Sequence, residues 1–272
     1  MSFDQKIADL ILRKARQDLD LSNKTPSDNP TLVVLGGQPG AGKSSIIDLI
    51  DERFSGNVAV LNGDELKPYY PGYKRLLKED PDKASRIVQE YSNYAIDAIK
   101  QELMQRQYNL IIEGTMRNPN IPIGTAKSAR SNGYSVEACI VATNYYASRV
   151  GCIKRYELDV AVSGVGRSVP VASHDEAYNN IPSTIAALVE SKQFDNIQIF
   201  SRNGEILGNI IDGNELAQIY SRHRENLSSE LYQEILQNLD TTKYMKNSRA
   251  APSDELFELD SLKDEFLAKY RL

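Results

Sequence analysis

Five short apolar runs, each followed by polar sequence of amphipathic spacing, set the rhythm of the chain. They are TLVVLGG (31 to 37), NVAVLN (57 to 62), YNLIIEG (108 to 114), SVEACIVAT (135 to 143) and NIQIF (196 to 200). The first is continuous rather than alternating, the pattern of a strand buried on both faces of a parallel sheet. Between the runs lie segments that read as helices. The clearest spans 83 to 106, where Ala84, Ile87, Val88, Tyr91, Ala95, Ala98, Ile99 and Leu103 recur every three or four residues and mark a core-facing stripe. Strand and helix in alternation predict a doubly wound α/β fold, a mainly parallel sheet with helices on both faces. An Asn203-Gly204 pair after the fifth run predicts a short hairpin. Residues 4 to 21 read as an N-terminal helix, and 213 to 239 and 254 to 271 as amphipathic helices. The expected organisation is an N-terminal helix and linker (1 to 30), one catalytic domain (31 to 212) and a helical C-terminal extension (213 to 272).

Composition narrows the function classes. Of 272 residues, 41% are hydrophobic and 25% charged, which excludes wholesale disorder. The net charge of −5, with no polybasic stretch, argues against a nucleic acid partner. The start MSFDQKIADLILRKARQ mixes charges into its apolar residues, and no run of about twenty apolar residues occurs, so the expectation is a soluble cytoplasmic protein with no membrane partner. Two cysteines, Cys139 and Cys152, and two histidines, His174 and His223, are too few and too scattered for structural zinc or a disulfide framework. His174, just before Asp175 and Glu176, reads as a helix start; neither histidine is assigned chemistry.

The strongest chemical signal is Gly37-Gln38-Pro39-Gly40-Ala41-Gly42-Lys43-Ser44, a full GxxxxGKS match between a buried strand and the helical segment IIDLIDERF. Its glycines let backbone N–H groups surround a polyphosphate at a helix N-terminus. Lys43 would reach the β and γ phosphates of ATP or GTP, and Ser44 would ligate magnesium; Ser45 completes the binding segment. Asp64 follows the second strand on the same sheet edge. A carboxylate there suits the general base of phosphoryl transfer, a role compatible with the alternative of an Asx turn or helix N-cap. Glu113, ending the third strand, suits a water-mediated magnesium shell or a substrate hydroxyl, and Arg117 an anionic substrate. Arg155 and Arg167 flank a segment with glycines at 164 and 166 that reads as a mobile lid, where arginines neutralise charge on the transferred phosphoryl group.

With these residues in view, the chain resembles the zeta toxin family, kinases of toxin and antitoxin systems that include the PezT toxins. The linked motifs are GGQPGAGKSS, NGDELKPYYPGY, YSNYAIDAI, YNLIIEGTMRNP, IGTAKSARSNGY and the IKRYE and GRSVP pair, over about residues 30 to 205. The resemblance implies a P-loop kinase-like fold and phosphorylation of the 3′-hydroxyl of UDP-N-acetylglucosamine, using ATP or GTP and magnesium, which blocks peptidoglycan precursor synthesis. It implies Lys43 as the phosphate-binding lysine, Ser44 as the magnesium ligand and Asp64 as the base. Glu113 and Arg117 would contact the nucleotide sugar, Arg155 and Arg167 the γ-phosphoryl group, and Ser92 and Thr125 would be sugar- or nucleotide-binding polar positions. A small helical antitoxin is the implied partner. Met116 is larger than the residue usual in the family's EGTxR context, which bears on the sugar pocket. Two other readings remain at this point: a chloramphenicol phosphotransferase-like kinase of another small molecule, and a nucleotide-dependent switch.

Overall fold

The computed structural model describes residues 3–209 and 212–270; Met1, Ser2 and residue 271, which the sequence reading included, lie outside them. Its centre is a six-stranded sheet made of β1 (Thr31–Gly36), β2 (Ala59–Leu61), β3 (Leu110–Gly114), β4 (Ser135–Ala142), β5 (Asn196–Ser201) and β6 (Ile206–Asn209). The strand order is β2-β3-β1-β4-β5-β6, and every pairing is parallel except the β5–β6 hairpin. All five apolar runs contain strands, and the doubly wound, mainly parallel fold stands as expected.

Burial on both faces explains the continuous apolar run. Successive strand side chains point to opposite faces. Leu32 and Val34 of β1 therefore enter one core, while Val33 and Leu35 enter another. The first core gathers α1 (Gln5–Asp18), α5 (Pro81–Gln105), α6 (Asn120–Ser131), α8 (Val171–Ser191) and α9 (Gly213–Glu225). The second lies under α2 (Lys43–Arg53), through Ile46 and Ile50. Short helices α3 (Gly63–Leu66) and α4 (Tyr73–Glu79) link β2 to α5. Asp80 caps α5 by accepting from the Lys83 amide, so this helix begins at residue 81.

Beyond β6 the structure departs from the sequence reading. The apolar periodicity expected as one helix over 213 to 239 belongs to two, α9 and α10 (Ser229–Ser248), because Ser228 accepts from the Leu231 amide and starts a new helix. Periodicity alone does not register such a break when both helices bury a stripe. Leu216 and Tyr220 of α9 enter the main core, whereas α10 and α11 (Ser253–Lys269) form a third apolar cluster with α7 (Tyr145–Ser163). No described helix is long and apolar enough to cross a membrane.

A buried ion-pair network fastens α10 and α11 to α7. The Glu157 carboxylate, 1% exposed, accepts from Arg249 Nε at 2.7 Å and lies 3.0 Å from Lys246 Nζ, which also reaches Glu255 at 2.7 Å. Burial pushes the Glu157 carboxyl up, but the hydrogen bonds from Arg249 and Lys246 outweigh it and hold the group below its ordinary value. A carboxyl depressed in the folded state adds stability above its unfolded pKa, near 4.5, and loses it as pH falls through the folded value. Glu157→Gln should therefore lower stability at neutral pH by about 3 kcal/mol, with variant and wild type converging in acid, as urea unfolding at both pH values would register.

Candidate functional site

β1 is the middle of the sheet, flanked by β3 and β4, and the chain leaves its C-terminal end into the Gly37–Ser44 loop. This is the topological switch point, where an open α/β sheet forms a crevice. Gly40 and Gly42 take left-handed φ values of +76° and +91°. A Cβ on Gly40 would collide with the main-chain oxygen of Ser148 in α7, and Gly151 of α7 lies against the Gly40 carbonyl. The glycines thus serve helix packing as well as the turn. Lys43 opens α2 and its Nζ donates to the carbonyls of Gly37 (3.1 Å) and Gln38 (3.4 Å), keeping the ammonium inside the curve of the loop. Ser44 and Ser45 are exposed in the first turn of α2.

The ends of β2 and β3 bring carboxylates and a further cation to the same edge as this loop. Glu113 Oε1 lies 3.5 Å from Lys43 Nζ, and Asn62 Nδ2 donates to Glu113 Oε2 at 2.8 Å. Asn62 also caps α3 by accepting from the Asp64 amide at 2.9 Å. The cap is therefore Asn62, and Asp64 in the first turn is left free for other work. Lys67 Nζ sits 2.6 Å from Asp64 Oδ1. Crowding by protein raises the Asp64 carboxyl, yet Lys67, seconded by Arg167 and Arg155, holds it below its ordinary value. Glu65 moves oppositely, raised by burial and by Glu113.

The segment joining α7 to α8 folds over Asp64. Arg167 Nη1 donates to the Asp64 main-chain oxygen at 3.3 Å and Nε lies 3.8 Å from Asp159. Arg155 on α7 has its Nε buried without a hydrogen-bond partner. The structure thus gathers Gly37–Ser45, Asp64, Glu113, Arg155 and Arg167 at one sheet edge. The other expected positions have surroundings of their own. Arg117 pairs with Glu176 of α8 at 3.2 Å, Thr125 is half-buried on α6, and Ser92 is fully buried in α5 with its hydroxyl unpartnered. Met116 is buried with its side chain against Gly36 rather than lining an open pocket. Asn62 and Lys67 escaped the sequence reading, although the Asp64 to Lys67 spacing of three residues was visible there.

Residues 16–212 match the family model described as zeta toxin. The chain belongs to the zeta toxin family. It is 32% identical over 216 residues to toxin zeta of Enterococcus hirae, covering 79% of this chain and 74% of that protein. It is 30% identical to toxin PezT of Streptococcus pneumoniae serotype 4 over 181 residues, 66% of this chain and 72% of that one. Among solved structures it is similar to a chain of the PezAT toxin-antitoxin system of Streptococcus pneumoniae, with a TM-score of 0.75 and 24% identity over 91% of this chain and 97% of that one. An AvrRxo1-ORF1:-ORF2 complex determined with ATP shares the fold at a TM-score of 0.52 and 16% identity, over 96% of this chain and 83% of that one.

The matched zeta toxin region contains every residue gathered at the sheet edge, while α10 and α11 lie beyond it. Membership of the zeta toxin family makes the protein a phosphotransferase, and the matched region is where the glycine loop, a carboxylate held below its ordinary pKa and two arginines converge. The loop's close packing sets a test. Gly56→Ala shares a left-handed φ of +78° but meets open space, so it should cost about 1 kcal/mol and leave nucleotide affinity intact. Gly40→Ala adds a main-chain collision beneath the loop and should weaken ATP binding by at least about tenfold, as calorimetry with each variant would report.

Proposed function

We propose that this zeta toxin family member is an ATP- or GTP-dependent kinase of a nucleotide sugar, transferring phosphate to the 3′-hydroxyl of UDP-N-acetylglucosamine or a close relative and so blocking peptidoglycan precursor synthesis in the cytoplasm. The observation that carries the reading is Asp64, ionised and ringed by Lys67, Arg167 and Arg155 on the edge that holds the phosphate loop. A switch protein has no use for an acceptor-side base. The PezAT system named for the fold neighbour pairs toxin with antitoxin, and a small helical antitoxin is the expected partner here.

The chemistry follows from charge placement. Lys43 receives the β and γ phosphates, exchanging its two loop carbonyls for phosphate oxygens. Asp64 accepts the proton of the attacking sugar hydroxyl, and Lys67 keeps the carboxylate ionised and oriented. Arg167 and Arg155 meet the charge that spreads over the transferred phosphoryl oxygens. Glu113, fixed by Asn62, is placed for a sugar hydroxyl or for water on a metal. Magnesium fits the donor set: it takes one or two protein oxygens plus phosphates and water, and Ser44 and Glu113 offer a hydroxyl and a carboxylate. Bound there, it would neutralise phosphate charge. Arg117, Ser92 and Thr125 remain proposed sugar- or nucleotide-side positions, Arg117 after release from Glu176.

Purified protein incubated with ATP, magnesium and a panel of nucleotide sugars should add one phosphate to UDP-N-acetylglucosamine, read by mass spectrometry. Transfer to none of the sugars would overturn the reading. Asp64→Asn should abolish transfer while ATP still binds, and Arg167→Ala should lower kcat by about a hundredfold or more with little change in ATP affinity. Since the Asp64 carboxyl lies below 3.8, its acid limb in kcat/KM falls there too, and the rate from about pH 5 to 7 is flat with respect to this group.

A further inference from the structure

Beneath the phosphate loop lies a polar floor for which the transfer chemistry has no use. Gln38, Ser148 and His174 are each fully buried. Gln38 Nε2 donates to the Thr143 carbonyl at 2.9 Å and to Ser148 Oγ at 3.3 Å, and the Tyr220 hydroxyl donates to Gln38 Oε1 at 3.2 Å. Ser148 Oγ stands 2.8 Å from His174 Nε2, and His174 Nδ1 stands 3.1 Å from Asp175 Oδ1. A carboxylate only accepts, so Nδ1 carries the ring proton. Burial, with Arg149 nearby, keeps the imidazole below its ordinary pKa despite Asp175, so the ring is neutral and Nε2 is an acceptor. The Ser148 hydroxyl proton faces that nitrogen and the carbonyls of Tyr145 (2.9 Å) and Asn144 (3.1 Å), leaving the oxygen lone pairs for Gln38.

We propose that Ser148 and His174 are positioning residues of the nucleotide site, joining the phosphate loop to the first turn of α8 through the chain Gln38–Ser148–His174–Asp175. The proposal rests on the kinase reading and assigns the chain a purpose within it. At the loop end, the Gln38 main chain is one of the two acceptors that hold Lys43, so locking the Gln38 amide fixes where the lysine sits. At the other end, His174 is the fourth residue of α8, the helix that begins four residues after Arg167. One buried chain thus sets the loop and the arginine-bearing segment relative to each other. Gln38, Ser148 and His174 are wholly buried, so losing one takes a hydrogen-bond partner from its neighbours where water does not reach, while Asp175 at the far end is partly exposed.

Ring packing is the rival account, since Tyr145 meets His174 edge-on at 5.2 Å and Tyr178 stacks at 6.3 Å. His174→Phe keeps a ring and removes the nitrogens, while His174→Gln returns a polar group near the Nε2 position. Binding of a fluorescent ATP analogue by the full chain, with steady-state kinetics and Tm for each variant, separates the accounts. The expected result is affinity weakened about tenfold in His174→Phe and in Ser148→Ala, no further loss in the double variant, recovery in His174→Gln, and kcat at saturating ATP within about threefold of wild type. Wild-type affinity in Ser148→Ala and in folded His174→Phe, or losses that simply add, would overturn the positioning role. If His174→Phe does not fold, Ser148→Ala alone decides between the same two results. A wild-type protein that binds no nucleotide would overturn the kinase reading together with this one.

Discussion

The close seat of Gly40 against α7 is the constraint on which the site depends. The phosphate loop needs its amides turned inward, and that turn requires left-handed backbone at Gly40 and Gly42. Left-handed backbone alone would leave a floppy loop. The Ser148 carbonyl and Gly151 close the space below Gly40, while Thr143 donates its hydroxyl to the Ala41 carbonyl at 2.7 Å from the end of β4. The loop is thereby tied to β4 and α7 before any phosphate arrives, which spares binding the entropy of ordering it.

Around this anchor the charges are arranged in opposition. Lys43 and Glu113 face each other across 3.5 Å, and Lys67 and Asp64 across 2.6 Å. Lys67 holds the Asp64 carboxyl below its ordinary pKa, while Lys43 lies between Glu113 and the loop carbonyls. Asn62 couples the two pairs, because its side chain accepts from the Asp64 amide and donates to Glu113. A movement of the β2 end would therefore shift Asp64 and the β3 carboxylate together.

Much of this was legible in the sequence. The five apolar runs located the parallel strands because burial on both faces demands unbroken apolar sequence. That the loop motif, Asp64 and Glu113 share one edge was readable because strand ends in such a fold all open there, while Arg155 and Arg167 were picked out by the glycine-bearing segment they flank. Less visible was whatever depends on partners distant in sequence. Asn62 reads as an ordinary loop residue until Glu113 stands beside it, and Gln38 reads as a variable motif position although its side chain is wholly buried under the loop. Ser92, singled out through resemblance, gave no sign in the sequence of being wholly buried on α5. The break between α9 and α10 was hidden because both helices carry apolar stripes, and only the Ser228 cap divides them.

The network around Glu157 carries a consequence for how this chain can change over generations. Lys246 and Arg249 of the C-terminal helices neutralise a carboxylate on the helix that also bears Arg155, and Glu258 of the same region pairs with Arg149 at 3.1 Å. A lineage that trimmed the tail would strand an acid and a guanidinium inside α7. Positions 149, 157, 246, 249 and 258 can therefore drift only as a set, and a shorter descendant must first make α7 neutral.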